Sequence, residues 1–178
     1  QYCPSSPYAS TKAASDQLVG SWHATYGLPV IITNCCNNFG PWQFPEKLIP
    51  LIINKCLSSQ SIPIYGNGKN VRDWIYVDDH IDALLQVYEK GKVGTSYCIG
   101  SNQLKTNEEV VEVICNLLDI YKIENSPHIR LKKYVSDRPG HDFRYAIDNG
   151  KMLDMGWSPQ FSWDKGIKLT IDWYLNNK

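Results

Sequence analysis

A phenol and an ammonium stand four residues apart at Tyr8 and Lys12, within Ser5-Ser6-Pro7-Tyr8-Ala9-Ser10-Thr11-Lys12-Ala13-Ala14. On a helix that spacing places both on one face. A cation held beside a phenol favours its phenolate, whereas burial alone disfavours it, so the two together have the makings of a general base. The same pair on a solvated helix would do nothing, and a two-residue pattern recurs by chance. The rest of the chain decides between the two.

Other residues with chemical capacity lie further along. Segment 126–148 carries Arg130, Lys132, Lys133, Arg138, His141 and Arg144 in an irregular Pro-Gly context, which reads as an anion-binding loop or as an ordinary solvated one. Asp78-Asp79-His80 has the composition of a metal cluster, but consecutive residues diverge around a helix, so a capping carboxylate is the better reading. The six cysteines lack Cys-x-x-Cys spacing and the four histidines are scattered, so no metal is expected. Cys35 and Cys36, adjacent on an apolar run, read as core thiols on opposite strand faces. Gly66-Asn67-Gly68 is no dinucleotide fingerprint, because a second strand rather than a helix follows it.

The elements that must position these groups alternate between helix and strand. Pro7 opens a helix that runs to Tyr26 and closes at Gly27. Val30 to Cys36 is a continuous apolar run, as in a parallel sheet covered on both faces. A second helix starts at Pro45 and runs to about Leu57. Ile62 to Tyr65 and Val71 to Tyr76 read as short strands around a turn. Helices over 77–90, 106–118 and 163–175 and a strand over 96–100 follow, with Trp157, Phe161, Trp163, Trp173 and Tyr174 as core aromatics. The pattern predicts an α/β fold, with any domain boundary near Pro41 to Pro45.

The composition bounds the function without naming it. The 178 residues are 43% hydrophobic and 20% charged, and 18 Lys plus Arg balance 18 Asp plus Glu. No global field argues for nucleic acid, and no apolar run approaches a membrane span. Cysteine usage fits a reducing cytoplasm. Only seven residues precede Tyr8, too few for a Gly-rich phosphate loop, and the first is Gln1. The expectation is therefore the C-terminal part of a longer protein.

Six runs occur in an ordered series: Ser6-Pro7-Tyr8-Ala9-Ser10-Thr11-Lys12, Asn34-Cys35-Cys36-Asn37-Asn38-Phe39-Gly40-Pro41, Phe44-Pro45-Glu46-Lys47-Leu48-Ile49-Pro50, Pro63-Ile64-Tyr65-Gly66, Arg72-Asp73-Trp74 and Asp137-Arg138-Pro139-Gly140-His141-Asp142. The series resembles the dTDP-glucose 4,6-dehydratase family of the extended short-chain dehydrogenase/reductases. That resemblance implies the C-terminal part of an NAD-binding Rossmann-type parallel sheet, with residues 1–41 as its remainder. Residues 42–178 would form mainly a smaller, mixed α/β nucleotide-sugar domain, with some segments returning to the Rossmann sheet. It implies NAD as cofactor, dTDP-glucose or a related nucleotide sugar as substrate, and a homodimer.

By the same resemblance, Tyr8 would take the proton of the sugar 4-hydroxyl and Lys12 would bond the nicotinamide ribose. Asn38 would lie near NAD and Asn37 would contact the sugar nucleotide. Lys47 and Leu48 would meet the nucleotide, with Pro63, Ile64 and Tyr65 around the thymine. Arg72 and the loop Asp137, Arg138, Pro139, Gly140 and His141 would hold the diphosphate and base-side groups, and Asn107 would complete the substrate contacts. The family's Gly-rich cofactor loop and its Asp-Glu dehydration pair would lie upstream of Gln1, so the 178 residues alone are expected to be inactive. Two alternatives stay open: another epimerase or decarboxylase of the same family, and a non-catalytic sugar-nucleotide-binding remnant.

Overall fold

The computed structural model describes residues 2–121 and 123–177. Helix α1 spans Pro7–Tyr26. Ser6 caps its start, with its hydroxyl accepting from the Ala9 backbone N–H at 3.2 Å, and Gly27 ends it in the left-handed region at φ 68°. The apolar run after it does not form one strand. It divides into β1 (Ile32–Cys35) and β2 (Asn37–Phe39), which pair into different sheets. Helix α2 (Leu48–Leu57) begins later than the proline suggested, with Lys47 at its N-cap.

Strands β3 (Ile62–Tyr65) and β4 (Val71–Tyr76) occupy the expected positions but are no hairpin. Helix α3 (Val77–Lys90) follows β4 directly, with Tyr76 and not an aspartate at its N-cap. The Asp79 carboxylate instead accepts from the backbone N–H groups of Gln160 and Phe161, at 2.8 and 3.0 Å, and anchors the approach to the last helix. Next come β5 (Ser96–Ile99), β6 (Leu104–Thr106) and α4 (Asn107–Tyr121). Thr106 and Glu109 form a reciprocal capping box: the Thr106 hydroxyl accepts from the Glu109 N–H at 3.1 Å, and the Glu109 carboxylate accepts from the Thr106 N–H at 2.7 Å.

Segment 126–148 is more regular than its composition suggested. Beyond a short 3-10 turn at His128–Leu131 it contains β7 (Lys132–Val135) and β8 (Arg144–Tyr145). Helices α5 (Gly150–Asp154) and α6 (Trp163–Asn176) close the chain. No described helix is long and apolar enough to cross a membrane.

Pairing is mostly parallel: β1 with β5, β3 with β7, and β4 with β2 and β8, while β6 runs antiparallel to β4. The fold is thus mixed α/β, and β4 is its party wall. Side chains alternate along a strand, so Trp74 and Tyr76 enter one core, with α2, α4, α6 and Phe39. Ile75 enters a second, with Cys36, Tyr97, Ile99, Ala83 and Trp157. Burial, with the charge of Asp73 adding, pushes the Cys36 thiol far above its ordinary pKa, in keeping with a packing role. All six cysteines are free thiols.

Asp73, on the second face of β4, is 0% exposed. Its carboxylate accepts from the backbone N–H of Ser101 at 3.1 Å, the Ser101 hydroxyl at 2.9 Å and the Gln103 N–H at 2.9 Å. Buried charge is tolerated only when it is hydrogen-bonded in this way. Asp73→Ala, which removes the acceptor of three buried or part-buried hydrogen bonds, should lower unfolding free energy by about 3 kcal/mol. Urea denaturation measures it, and a loss within about 0.5 kcal/mol, the level of a surface substitution, would remove Asp73 from this role.

Candidate functional site

A cavity of about 530 Å³ opens on the first face of β4. Its floor follows from strand alternation. Arg72 and Trp74 are two residues apart on β4 and share a face, and the parallel register sets Asn37 of β2 beside Trp74. On β3, Pro63 and Tyr65 line the cavity while Ile62 and Ile64 fill the core. One wall is the start of α2, which brings Lys47, Leu48 and Leu51; Asn107 arrives as the first residue of α4. The loop after β7 contributes Arg138 and His141.

That loop is braced by Asp137, which does not itself line the cavity. Its carboxylate accepts from the Arg138 backbone N–H at 2.9 Å and lies 2.7 Å from His141 Nδ1. The His141 hydrogen bond holds the Asp137 carboxyl below the usual carboxylate range. A carboxylate only accepts, so Nδ1 donates and Nε2 is left for other partners. Gly66, with φ 59°, makes room for this brace, since a Cβ there would come within 2.9 Å of the Asp137 carboxylate. Pro139 and Gly140 shape the loop without lining the cavity.

The Arg72 guanidinium is held by neutral oxygens. Arg72 donates from one terminal nitrogen to the Val71 carbonyl and from the other to the Asp142 carbonyl, both at 2.8 Å. Burial lowers its pKa and the nearby Arg138 lowers it further, against the opposing charge of Asp142. Arg138 also lies over the Tyr65 ring, 5.9 Å from its centroid. Two neighbouring cations that form no ion pair among the described residues, beside an exposed aromatic face, suit an anion attached to a planar ring.

Nine of the residues expected to meet substrate therefore converge: Asn37, Lys47, Leu48, Pro63, Tyr65, Arg72, Asn107, Arg138 and His141. Ile64 does not, because its side chain is 2% exposed in the core. Tyr8, Lys12 and Asn38 also stand outside the cavity. Tyr8 is 75% exposed on α1, whose start is tied to the cavity loop by the Ser5 hydroxyl, 3.3 Å from the Asp142 carboxylate. Asn38 faces away from Asn37 because neighbours on a strand must. It donates to Cys35 Sγ at 3.3 Å, and its Oδ1 is buried with no donor among the described residues.

Gln43, Phe44, Glu46, Leu51 and Trp74 line the cavity without having been assigned a ligand contact from sequence. Period two from Arg72 would have found Trp74, and helical spacing from Lys47 and Leu48 would have found Leu51.

The profile of the GDP-mannose 4,6 dehydratase family matches residues 1–170. A dTDP-glucose 4,6-dehydratase from Xanthomonas campestris pv. campestris is 53% identical over 180 residues, covering 99% of this chain and 51% of that protein. An Escherichia coli protein of the same name is 53% identical over 182 residues, covering 99% and 50%. The crystal structure of dTDP-glucose 4,6-dehydratase from Bacillus anthracis in complex with NAD superimposes with a TM-score of 0.89 at 45% identity, covering 99% of this chain and 54% of that one. The chain thus spans about half the length of the relatives it matches, and it matches their C-terminal half.

Proposed function

The chain belongs to the GDP-mannose 4,6 dehydratase family, and from that membership we propose that it is the C-terminal half of an NAD-dependent dTDP-glucose 4,6-dehydratase. The observation that carries this reading is the convergence of Arg72, Arg138, Tyr65 and Asn37 on one cavity, in a chain 53% identical to proteins of that name. The cavity's volume falls in the range of small-molecule sites, roughly 300 to 1,000 Å³. An aromatic face, amide side chains and paired guanidinium groups are what a nucleoside diphosphate sugar requires.

In the proposed reaction the sugar is oxidised at C4 and loses water across C5 and C6. It is then reduced at C6, giving dTDP-4-keto-6-deoxyglucose for deoxysugar biosynthesis. NAD, when bound, supplies the uptake and return of hydride. The chain's own work is positioning and proton management. Tyr8 accepts the proton of the 4-hydroxyl, and removal of that proton is general-base catalysis. Oxidation at C4 acidifies the C5 proton, which lets the C6 hydroxyl leave as water. Arg72 and Arg138 hold the diphosphate, with the base against Tyr65 and Pro63.

The residues assigned to NAD fit it. Tyr8 and Lys12 lie one turn apart on an open part of α1, and the buried Asn38 Oδ1 is an acceptor without a donor among the described residues. The alternation that turns Asn37 toward the cavity turns Asn38 toward the opposite side, so adjacent asparagines serve the two ligands.

We extend the proposal to organisation. Residues 1–41 belong to the cofactor-binding domain and 42–178 mainly to the sugar-nucleotide domain, with β5 returning to pair with β1. Strand β2 lies before that boundary, yet it pairs with β4 beyond it. A cytoplasmic setting is supported by the six free thiols. A homodimer is supported by the exposed Leu18, Trp22 and Tyr26 of α1. Light scattering of the longer, active protein should give twice the monomer mass, and a concentration-independent monomer would reject the dimer.

Tyr8→Phe in the longer protein keeps the ring and removes the hydroxyl. Turnover of dTDP-glucose should fall about 100-fold or more, the scale of a lost general base, while the dissociation constant for dTDP-glucose stays near wild type. The pre-formed 4-keto sugar nucleotide, supplied to enzyme loaded with NADH, should partly bypass the block, since its oxidation is already done and the hydride for C6 is provided. Wild-type turnover in the variant would show Tyr8 to be a structural helix residue.

A further inference from the structure

One residue touches both ends of the space that a nucleotide sugar must span. Asp142, two residues before β8, accepts at its backbone carbonyl from a terminal nitrogen of Arg72 at 2.8 Å and from Asn70 Nδ2 at 3.3 Å. Its side chain serves a different element, since the carboxylate accepts from the Ser5 hydroxyl at 3.3 Å. Ser5 directly precedes Ser6, the N-cap of α1, and Tyr8 is the second residue of that helix. Gly140 lies against the same place: a Cβ there would come within 3.7 Å of the Ser5 carbonyl oxygen and 4.0 Å of Ser6 Cβ. The loop that brings Arg138 and His141 to the cavity thus also abuts the start of the helix that carries Tyr8. Among the described residues, Ala13 is the one buried side chain of α1, so contacts of this kind, and not core packing, fix the first turn.

We infer that Asp142 is a positioning residue, which couples the grip on the diphosphate to the placement of Tyr8 by holding the first turn of α1 against the strand that carries Arg72. This rests on the functional reading given above and adds to it a link between the two ends of the site. A general base that is loosely aligned costs rate and not binding, and a misplacement near 1 Å can cost about 100-fold. Arg72 is held by the Asp142 backbone, not by its side chain. Removing the carboxylate therefore loosens Tyr8 and leaves the diphosphate contacts in place.

Asp142→Ala in the longer protein should lower kcat for dTDP-glucose on the order of 10-fold, part of that range, while KM and the dissociation constant for dTDP stay near wild type. Calorimetric titration with dTDP should still give the wild-type stoichiometry, which separates a slower site from a misfolded fraction. Asp142→Asn, whose amide oxygen still accepts from a hydroxyl, should recover most of the rate. Ser5→Ala should reproduce the loss, and the double variant should be no slower than either single one, as expected of two partners in one contact. Wild-type kcat in Asp142→Ala and Ser5→Ala, or losses that add in the double variant, would overturn the inference and leave the reading of the cavity intact. A fall in dTDP affinity or stoichiometry that matches the fall in kcat would also overturn it, since a merely structural role moves all three. Absence of dTDP-glucose turnover by the wild-type protein would overturn that reading and the inference together. Ser5 is exposed and outside both cores, so Ser5→Ala carries the decision if Asp142→Ala does not fold.

Discussion

The buried carboxylate of Asp73 fixes the register on which the rest of the structure depends. With three donors from Ser101 and Gln103, it ties the second face of β4 to the segment that leads into β6. Antiparallel pairing of Val71, Arg72 and Asp73 with Thr106, Lys105 and Leu104 then sets where α4 begins, and so where Asn107 enters the cavity. A slip of one residue along β4 would exchange its faces. Arg72 and Trp74 would turn into the second core, and Asp73 and Ile75 would face the ligand. The charge that cannot be moved is thus what holds the binding charges in place.

A second constraint concerns how cations are spent. Lys132 is consumed locally, since the Glu108 carboxylate takes its ammonium and also accepts from the Tyr134 hydroxyl at 2.8 and 2.9 Å. That contact holds Glu108 below its ordinary carboxylate range, with Lys132 as the main cause. Arg72, by contrast, is oriented by backbone carbonyls and makes no ion pair among the described residues. Composition could not separate these two fates. Both residues are basic and both lie on strands, yet only one is left to meet an anionic ligand.

Where the physics is local, the sequence was legible. Pro7 and Gly27 mark both ends of α1, because a missing N–H and a left-handed φ are properties of single residues. The differing directions of Asn37 and Asn38 follow from period two. What failed was non-local. The glycine turn between β3 and β4 suggested a hairpin, but β3 finds its partner in β7 across more than 60 residues, Ile62 opposite Lys132, and nothing within the turn reports that. Asp79 met the composition of a helix cap, yet its acceptors serve Gln160 and Phe161 from a distant segment.

Calorimetric titration of the longer protein with dTDP-glucose, in the wild type and in Arg72→Ala, Arg138→Ala and Arg144→Ala, tests the central assignment most directly. Arg144 lies on β8, beside β4 but outside the cavity, and so controls for a general loss of positive charge. The first two substitutions should each weaken binding by about 1.5 to 3 kcal/mol, the worth of a hydrogen bond to a charged group, while Arg144→Ala stays near wild type. Equal affinity in all four proteins, or an equal loss in all three variants, would contradict a diphosphate held by the face of β4 that carries Arg72.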